Sequence, residues 1–175
     1  MPSALLIVDA QANMFETNPV ADATGLLGRL ESLISGARAA EVPVVFIRNN
    51  GGAGDPDESE TAGWGIHPDL DPAESELVVD KWQSDSFSAD ALRYFVKEFE
   101  IDSVVVAGVQ SEFSIQATAR GAAQRGLDVV VVSDAHSTYN GAESADEIIE
   151  SVNAQLGSTV RLFTTDEVAS AWQES

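Results

Sequence analysis

Six short runs rich in valine and isoleucine, set between stretches with helical periodicity, constrain this chain more than any other feature. They are Ala4 to Val8, Val42 to Ile47, Leu77 to Val79, Ser103 to Ala107, Val129 to Val132 and Val160 to Phe163. Strands that alternate with helices in this way predict parallel βαβ units. The runs are almost continuously apolar instead of alternating with polar residues, which is the pattern of strands covered on both faces. The expected fold is therefore α/β: an open, mostly parallel six-stranded sheet with helices on both faces.

The helices fit between the strands. Leu26, Leu27, Leu30, Leu33 and Ile34 recur at helical spacing within a segment from about Ala23 to Ala40. Leu92, Phe95, Val96 and Phe99 do so from about Ala89 to Glu98, where Ser88 is the expected N-cap. A third helix is expected from Glu112 to Arg125, capped by Ser111 and stopped by Gly126. Two more are expected near Ala142 to Leu156 and Asp166 to Trp172. The one long irregular stretch, Asn49 to Ser75, carries five of the 13 glycines and three of the six prolines. Such a segment reads as a lid, a binding loop or an oligomer contact. With 175 residues, 44% of them hydrophobic, and no internal repeat, one domain spanning residues 1–175 is expected.

Charge excludes several partners. Nine Lys plus Arg stand against 29 Asp plus Glu, a formal charge of −20, so nucleic acid and anionic membranes should be repelled. The acids are spread along the chain, which fits a solvated acidic surface, including one adapted to high salt, better than an acidic tail. No apolar run reaches the roughly 18 residues of a membrane span, and Met1 to Ala10 lacks a secretory pattern. A soluble, cytoplasmic protein is expected. The chain has no cysteine, so disulfides, thiolate metal sites and cysteine nucleophiles are excluded together.

Open parallel sheets bind ligands beyond the carboxyl ends of their strands. Asp9 ends the first apolar run, where it is either a turn-forming residue or a general base. Lys81 follows the third run and is one of only two lysines; it either stabilises charge at a site or pairs structurally with Asp80 or Asp85. The segment Gly108-Val109-Gln110-Ser111-Glu112-Phe113-Ser114-Ile115 passes from strand to helix within a few residues. Helix-start N–H groups there suit an oxyanion, and Ser114 stands either as a reactive group or as a second capping serine. His67 and His136 are far apart in no ligand spacing and read as loop residues, so no metal is expected. No phosphate-binding glycine loop or dinucleotide fingerprint appears, so no cofactor is expected.

Five ordered motifs resemble the isochorismatase-like hydrolase superfamily, also called the cysteine hydrolases, over nearly the whole chain. They are Leu5-Leu6-Ile7-Val8-Asp9-Ala10-Gln11 with Phe15, Trp64-Gly65-Ile66-His67-Pro68, Val79-Asp80-Lys81 with Asp85-Ser86-Phe87, Gly108 to Ile115 leading to Thr118-Ala119-Arg120, and Val132-Ser133-Asp134-Ala135-His136-Ser137-Thr138. The resemblance implies a Rossmann-like, isochorismatase-like sheet and a catalytic Asp, Lys and Cys at the positions of Asp9, Lys81 and Ser114. It also implies a cis peptide at Val109-Gln110, an oxyanion hole from the N–H groups of Gln110 and Ser114, a small-molecule substrate and a homo-oligomer. Arg48-Asn49-Asn50-Gly51-Gly52 stands where nicotinamidases of the family carry metal ligands, so that branch is disfavoured. Gln11, Phe15, Trp64, Trp82, Phe87 and Phe113 flank the three candidate residues and are taken as substrate-binding, aromatic walls suiting a small planar acyl group.

The family nucleophile is a cysteine, and here it is a serine. An alcohol is a far weaker acid than a thiol, whose pKa is about 8.5, and serine enzymes recruit a histidine base. Ser114 is therefore expected to be a poor nucleophile. Three accounts stand open: an engineered Cys→Ser variant of a small-amide hydrolase, a natural member that uses Ser114 weakly or hydrolyses a vinyl ether by non-covalent acid chemistry as isochorismatase does, and a catalytically silent small-molecule binding protein.

Overall fold

The computed structural model describes residues 3–174. Six strands, β1 (Ser3–Val8), β2 (Val44–Asn49), β3 (Leu77–Lys81), β4 (Ser103–Val109), β5 (Asp128–Ser137) and β6 (Arg161–Phe163), form one sheet in the order β3-β2-β1-β4-β5-β6. Every neighbouring pair is parallel. The helices are α1 (Ala23–Ala39), α2 (Asp90–Glu98), α3 (Gln116–Gln124), α4 (Ala145–Leu156) and α5 (Thr165–Gln173).

Side chains alternate across the sheet, so each apolar run supplies two cores. Leu5, Ile7, Phe46, Val105 and Val130 pack with Leu26, Leu30 and Ile34 of α1 and Val168 of α5. Leu6, Val8, Val45, Val106 and Val131 pack on the other face with Leu92 of α2, Ala119 and Ala122 of α3, and Val152 and Leu156 of α4. Two covered faces leave no room for a polar row, which accounts for the unbroken hydrophobicity.

The chain departs from the sequence-based expectation mainly at the carboxyl ends of strands. β2 begins two residues later than expected and runs on to Asn49, β3 runs on to Lys81, and β5 runs on to Ser137. β5 achieves this through a register shift: Val106 faces Val131, but Gly108 faces His136. His136 is therefore a strand residue and not a loop residue as expected. The expected helix from Glu112 is divided into one π-helical turn, Ser111–Ile115, followed by α3. Ser88 and Ser111 are not the caps. Ala89 and Gln110 occupy those positions without side-chain capping bonds.

Gly108 is required where it stands. Its φ is +128°, and a Cβ there would lie 2.1 Å from the carbonyl oxygen of Val8. β1 and β4 thus approach closely at the point where strand order reverses, and the turn after β4 begins beside the end of β1.

The long irregular segment is tied down. Its residues bond back to the turn after β1, with Ala12 N–H donating to Gly65, Asn13 N–H to Gly63 and His67 N–H to the Ala10 carbonyl. These bonds fix the segment over the end of β1.

Candidate active site

Asp9, Lys81 and Ser114 meet at the carboxyl ends of β1, β3 and β4. Asp9 directly follows β1 with φ +51°, a turn that carries its side chain out of the strand line. Lys81 ends β3 beside its register neighbour Asn49, the last residue of β2, and reaches past it toward β1. Ser114 sits on the π turn Ser111–Ile115, which follows β4 after the cis peptide Val109-Gln110.

The contacts define one arrangement of protons. Ser114 Oγ donates to Asp9 Oδ2 at 2.6 Å. Lys81 Nζ, which can only donate, gives hydrogen bonds to the same Asp9 oxygen at 3.0 Å, to Ser114 Oγ at 3.2 Å and to Asn49 Oδ1 at 3.2 Å. The hydroxyl therefore accepts from the lysine and passes its own proton toward the carboxylate. All three residues are buried, and Asp9 Oδ1 has no partner. Burial pushes the Asp9 carboxyl above its ordinary range; Lys81 and the Ser114 hydrogen bond pull it back only in part, and the charge of Asp57 adds to the rise.

The alternatives for Lys81 are removed by the same geometry. Asp80 forms a two-point pair with Arg48, at 2.7 and 3.2 Å. Asp85 caps the 3₁₀ turn at Ser86–Ser88 through the Phe87 N–H and lies 3.5 Å from Arg125. Each is engaged by an arginine, and the carboxylate that Lys81 meets is Asp9.

Comparison with known proteins then decides the family. The isochorismatase domain model matches residues 3–164. This chain belongs to the isochorismatase family. It is 38% identical to a streptothricin hydrolase of Streptomyces noursei over 89% of this chain and 62% of that protein. It is also 32% identical to a secreted isochorismatase effector of Verticillium dahliae over 76% of this chain and 71% of that one. The chain spans only about six-tenths of the length of the streptothricin hydrolases it matches, 62% and 56% for two of them. A cysteine hydrolase from Pseudomonas syringae superposes with a TM-score of 0.91 at 22% identity, covering 99% of this chain and 93% of that one, which shows the shared fold.

The other residues singled out in the sequence take different places. Gln11 is fully buried and braces the backbone: its amide donates to the carbonyls of Asn49 and Trp64, at 2.9 and 2.8 Å, and accepts from Asn49 N–H at 2.8 Å. Phe87 is 1% exposed and packs inside the second core, so the expectation that it lines a pocket is corrected: its ring is core. Phe15 is half-buried and meets His67 edge-on, with ring centroids 5.3 Å apart. The Trp64 ring lies 3.5 Å under the Arg48 guanidinium, and its indole N–H donates to Asn50 Oδ1. Trp82 and Phe113 are exposed, at 73% and 56%. The Gln110 carbonyl accepts from the N–H groups of Phe113 and Ile115, fixing the π turn.

Sequence reasoning missed two clusters. Asn49 joins Lys81 to Asp57, with its Nδ2 donating to Asp57 Oδ2 at 2.7 Å. Asparagine at a strand end is common, and its neighbour across the site is visible only in three dimensions. The second cluster is Ser111, His136 and Asn153. Asn153 Nδ2 donates to the Ser133 carbonyl at 3.0 Å, which turns Oδ1 toward His136 Nε2 at 2.9 Å. Nε2 then carries the proton, and Nδ1 accepts from the Ser111 hydroxyl at 2.8 Å. Burial holds this imidazole below its ordinary proton affinity. Its partner is Ser111 and not Ser114, so the base facing Ser114 is Asp9. Among the described residues, no group of three or more His, Asp and Glu side chains converges as a metal site would require.

Proposed function

We propose that the protein hydrolyses small amides at a site formed by Asp9, Lys81 and Ser114, using an acyl-enzyme route slowed by the alcohol nucleophile. The reading is carried by one observation, the 2.6 Å hydrogen bond from Ser114 Oγ to a buried carboxylate that Lys81 also contacts. Asp9 takes the hydroxyl proton as Ser114 Oγ bonds to the amide carbon, and the N–H groups of Gln110 and Ser114 receive the developing oxyanion. Asp9 returns the proton to the departing amine nitrogen as the C–N bond breaks. Water, deprotonated by Asp9, then attacks the ester carbonyl, and Asp9 hands that proton to the departing Ser114 Oγ, releasing the acid and restoring the serine. Lys81 steadies the negative charge shared by Asp9 and Ser114 throughout. Phe15, Trp64, Trp82 and Phe113 are the proposed walls for the acyl group, and a homo-oligomer is the proposed assembly.

A second reading draws on the raised proton affinity of Asp9. A carboxyl that keeps its proton can protonate a vinyl ether without any nucleophile. Assay of the serine form, Ser114→Cys and Asp9→Ala against a panel of small amides and isochorismate separates the two. Amide turnover that rises by several orders of magnitude in Ser114→Cys and vanishes in Asp9→Ala supports the amide reading. Isochorismate cleavage by the serine form, lost in Asp9→Ala, supports the second. Binding of carboxamides with no turnover by either nucleophile sinks both in favour of a binding protein.

A further inference from the structure

Lys81 has three acceptors, and the amide mechanism uses two of them. The third, Asn49 Oδ1, is held in place from both ends. On the main chain, Gln11 clamps the N–H and carbonyl of Asn49. On the side chain, Nδ2 donates to Asp57. A carboxamide nitrogen has no lone pair for an ammonium group and a carboxylate has no proton for a carbonyl, so only one amide orientation satisfies both neighbours. Asp57 itself is seated by a cradle. Its carbonyl accepts from Gly51 N–H at 2.9 Å, and a Cβ on Gly51 would stand 2.1 Å from Asp57 Oδ1. The carboxylate is half-buried and makes no ion pair among the described residues.

We propose that Asn49 and Asp57 are positioning residues of this site: Asp57 fixes the Asn49 carboxamide, whose oxygen fixes the Lys81 ammonium between Asp9 and Ser114. This rests on the reading of those three as the reacting groups. It gives the long segment after β2 a definite task, to deliver one carboxylate behind the lysine. Asp57 also acts at a distance. The groups that set the proton affinity of Asp9 are its own burial, Lys81, Ser114 and the negative charge of Asp57. Asp57 therefore helps keep Asp9 able to take up the serine proton.

The chain has two lysines, Lys81 buried and Lys97 exposed on α2, so ¹⁵N-lysine labelling of the full chain yields two ammonium signals that identify themselves. Lys81 protons should exchange slowly with water in the natural protein. In Asn49→Leu, which removes the third acceptor, and in Gly51→Ala, which displaces Asp57, exchange should quicken about tenfold or more. Asp57→Asn keeps an acceptor for Asn49, so Lys81 exchange should hold while the Asp9 carboxyl, followed by ¹³C NMR, titrates at lower pH. A purely structural part for Asp57 would not move that titration. Circular dichroism checks folding, and Gly51→Ala and Asp57→Asn carry the test if Asn49→Leu does not fold. Unchanged Lys81 exchange in the folded Asn49→Leu and Gly51→Ala variants, or an unmoved Asp9 titration in Asp57→Asn, overturns the proposal. These signals are read without substrate, so failure of the natural and Ser114→Cys forms to hydrolyse amides would sink the proposed function and leave this result to stand or fall by itself.

Discussion

Lys81 and Asp9 are opposite charges taken out of water together, and removing one strands the other. In Lys81→Met the side-chain volume stays similar, but Asp9 loses its cationic neighbour and holds its proton still more tightly. In the folded protein this carboxyl already binds its proton more strongly than the ordinary value of 3.8. Its contribution to stability is therefore fullest below that value and is lost as pH rises through the raised one. Lys81→Met should differ little from the natural protein in acid and should fall behind by about 3 kcal/mol above neutrality. Urea midpoints for both proteins between acid and mildly alkaline pH measure the widening gap; a constant gap would show that Asp9 is not the group left stranded. The same residues show what sequence can reveal. A rare lysine at a strand end and an aspartate closing an apolar run are legible, because burial there demands a reason. Asn49, Asp57 and the brace made by Gln11 were not, because ordinary polar residues near strand ends acquire meaning only when a distant loop folds over them. Phe87 was misread for the converse reason: an aromatic beside a motif packs into a core as readily as into a pocket.

The elements themselves were legible from apolar periodicity, and their joints were not. The two capping boxes, Ser144 with Glu147 and Thr164 with Glu167, fix the starts of α4 and α5 near the expected positions. The joint between β4 and α3 depends instead on contacts remote in sequence. Gly108→Ala would push a methyl group into β1 and force a non-glycine residue to φ +128°, at a cost of about 3 kcal/mol or more measured by chemical denaturation. The π turn that follows is fastened by Ser111 to His136 on β5 and through it to Asn153 on α4. His136→Leu leaves a buried hydroxyl and a carboxamide oxygen without partners and should cost about 2 kcal/mol at neutral pH. Because burial holds the imidazole neutral in the folded chain, the unfolded chain takes up a proton first as pH falls. The natural protein therefore loses this part of its stability on acidification, and its advantage over His136→Leu should narrow as pH drops below about 6.5. Parallel denaturation series of the two proteins check the sign.

At the scale of the whole molecule the charge of −20 decides the response to salt. Seven of the nine Lys and Arg side chains are already engaged: Arg29, Arg38, Arg48, Lys81, Arg93, Arg125 and Arg161 each pair with a carboxylate. Screening weakens those attractions, but exposed pairs are worth at most about 1 kcal/mol each. It also weakens the repulsions among 29 acidic residues, which have far too few basic partners within the chain. Repulsion is the larger sum, so the melting temperature should rise with added potassium chloride. The shape of the rise identifies its cause. Screening acts mostly while the Debye length shrinks from about 30 Å at 0.01 M to about 10 Å at 0.1 M and then to about 3 Å at 1 M. The gain should therefore be steep at low salt and flatten toward 1 M, whereas stabilisation by exclusion of salt from the apolar surface would keep growing with concentration. Thermal melts across that range, repeated with sucrose at matched exclusion, separate the two. A flat or falling melting temperature below 0.1 M would mean that the ion pairs outweigh the repulsion of the acidic surface.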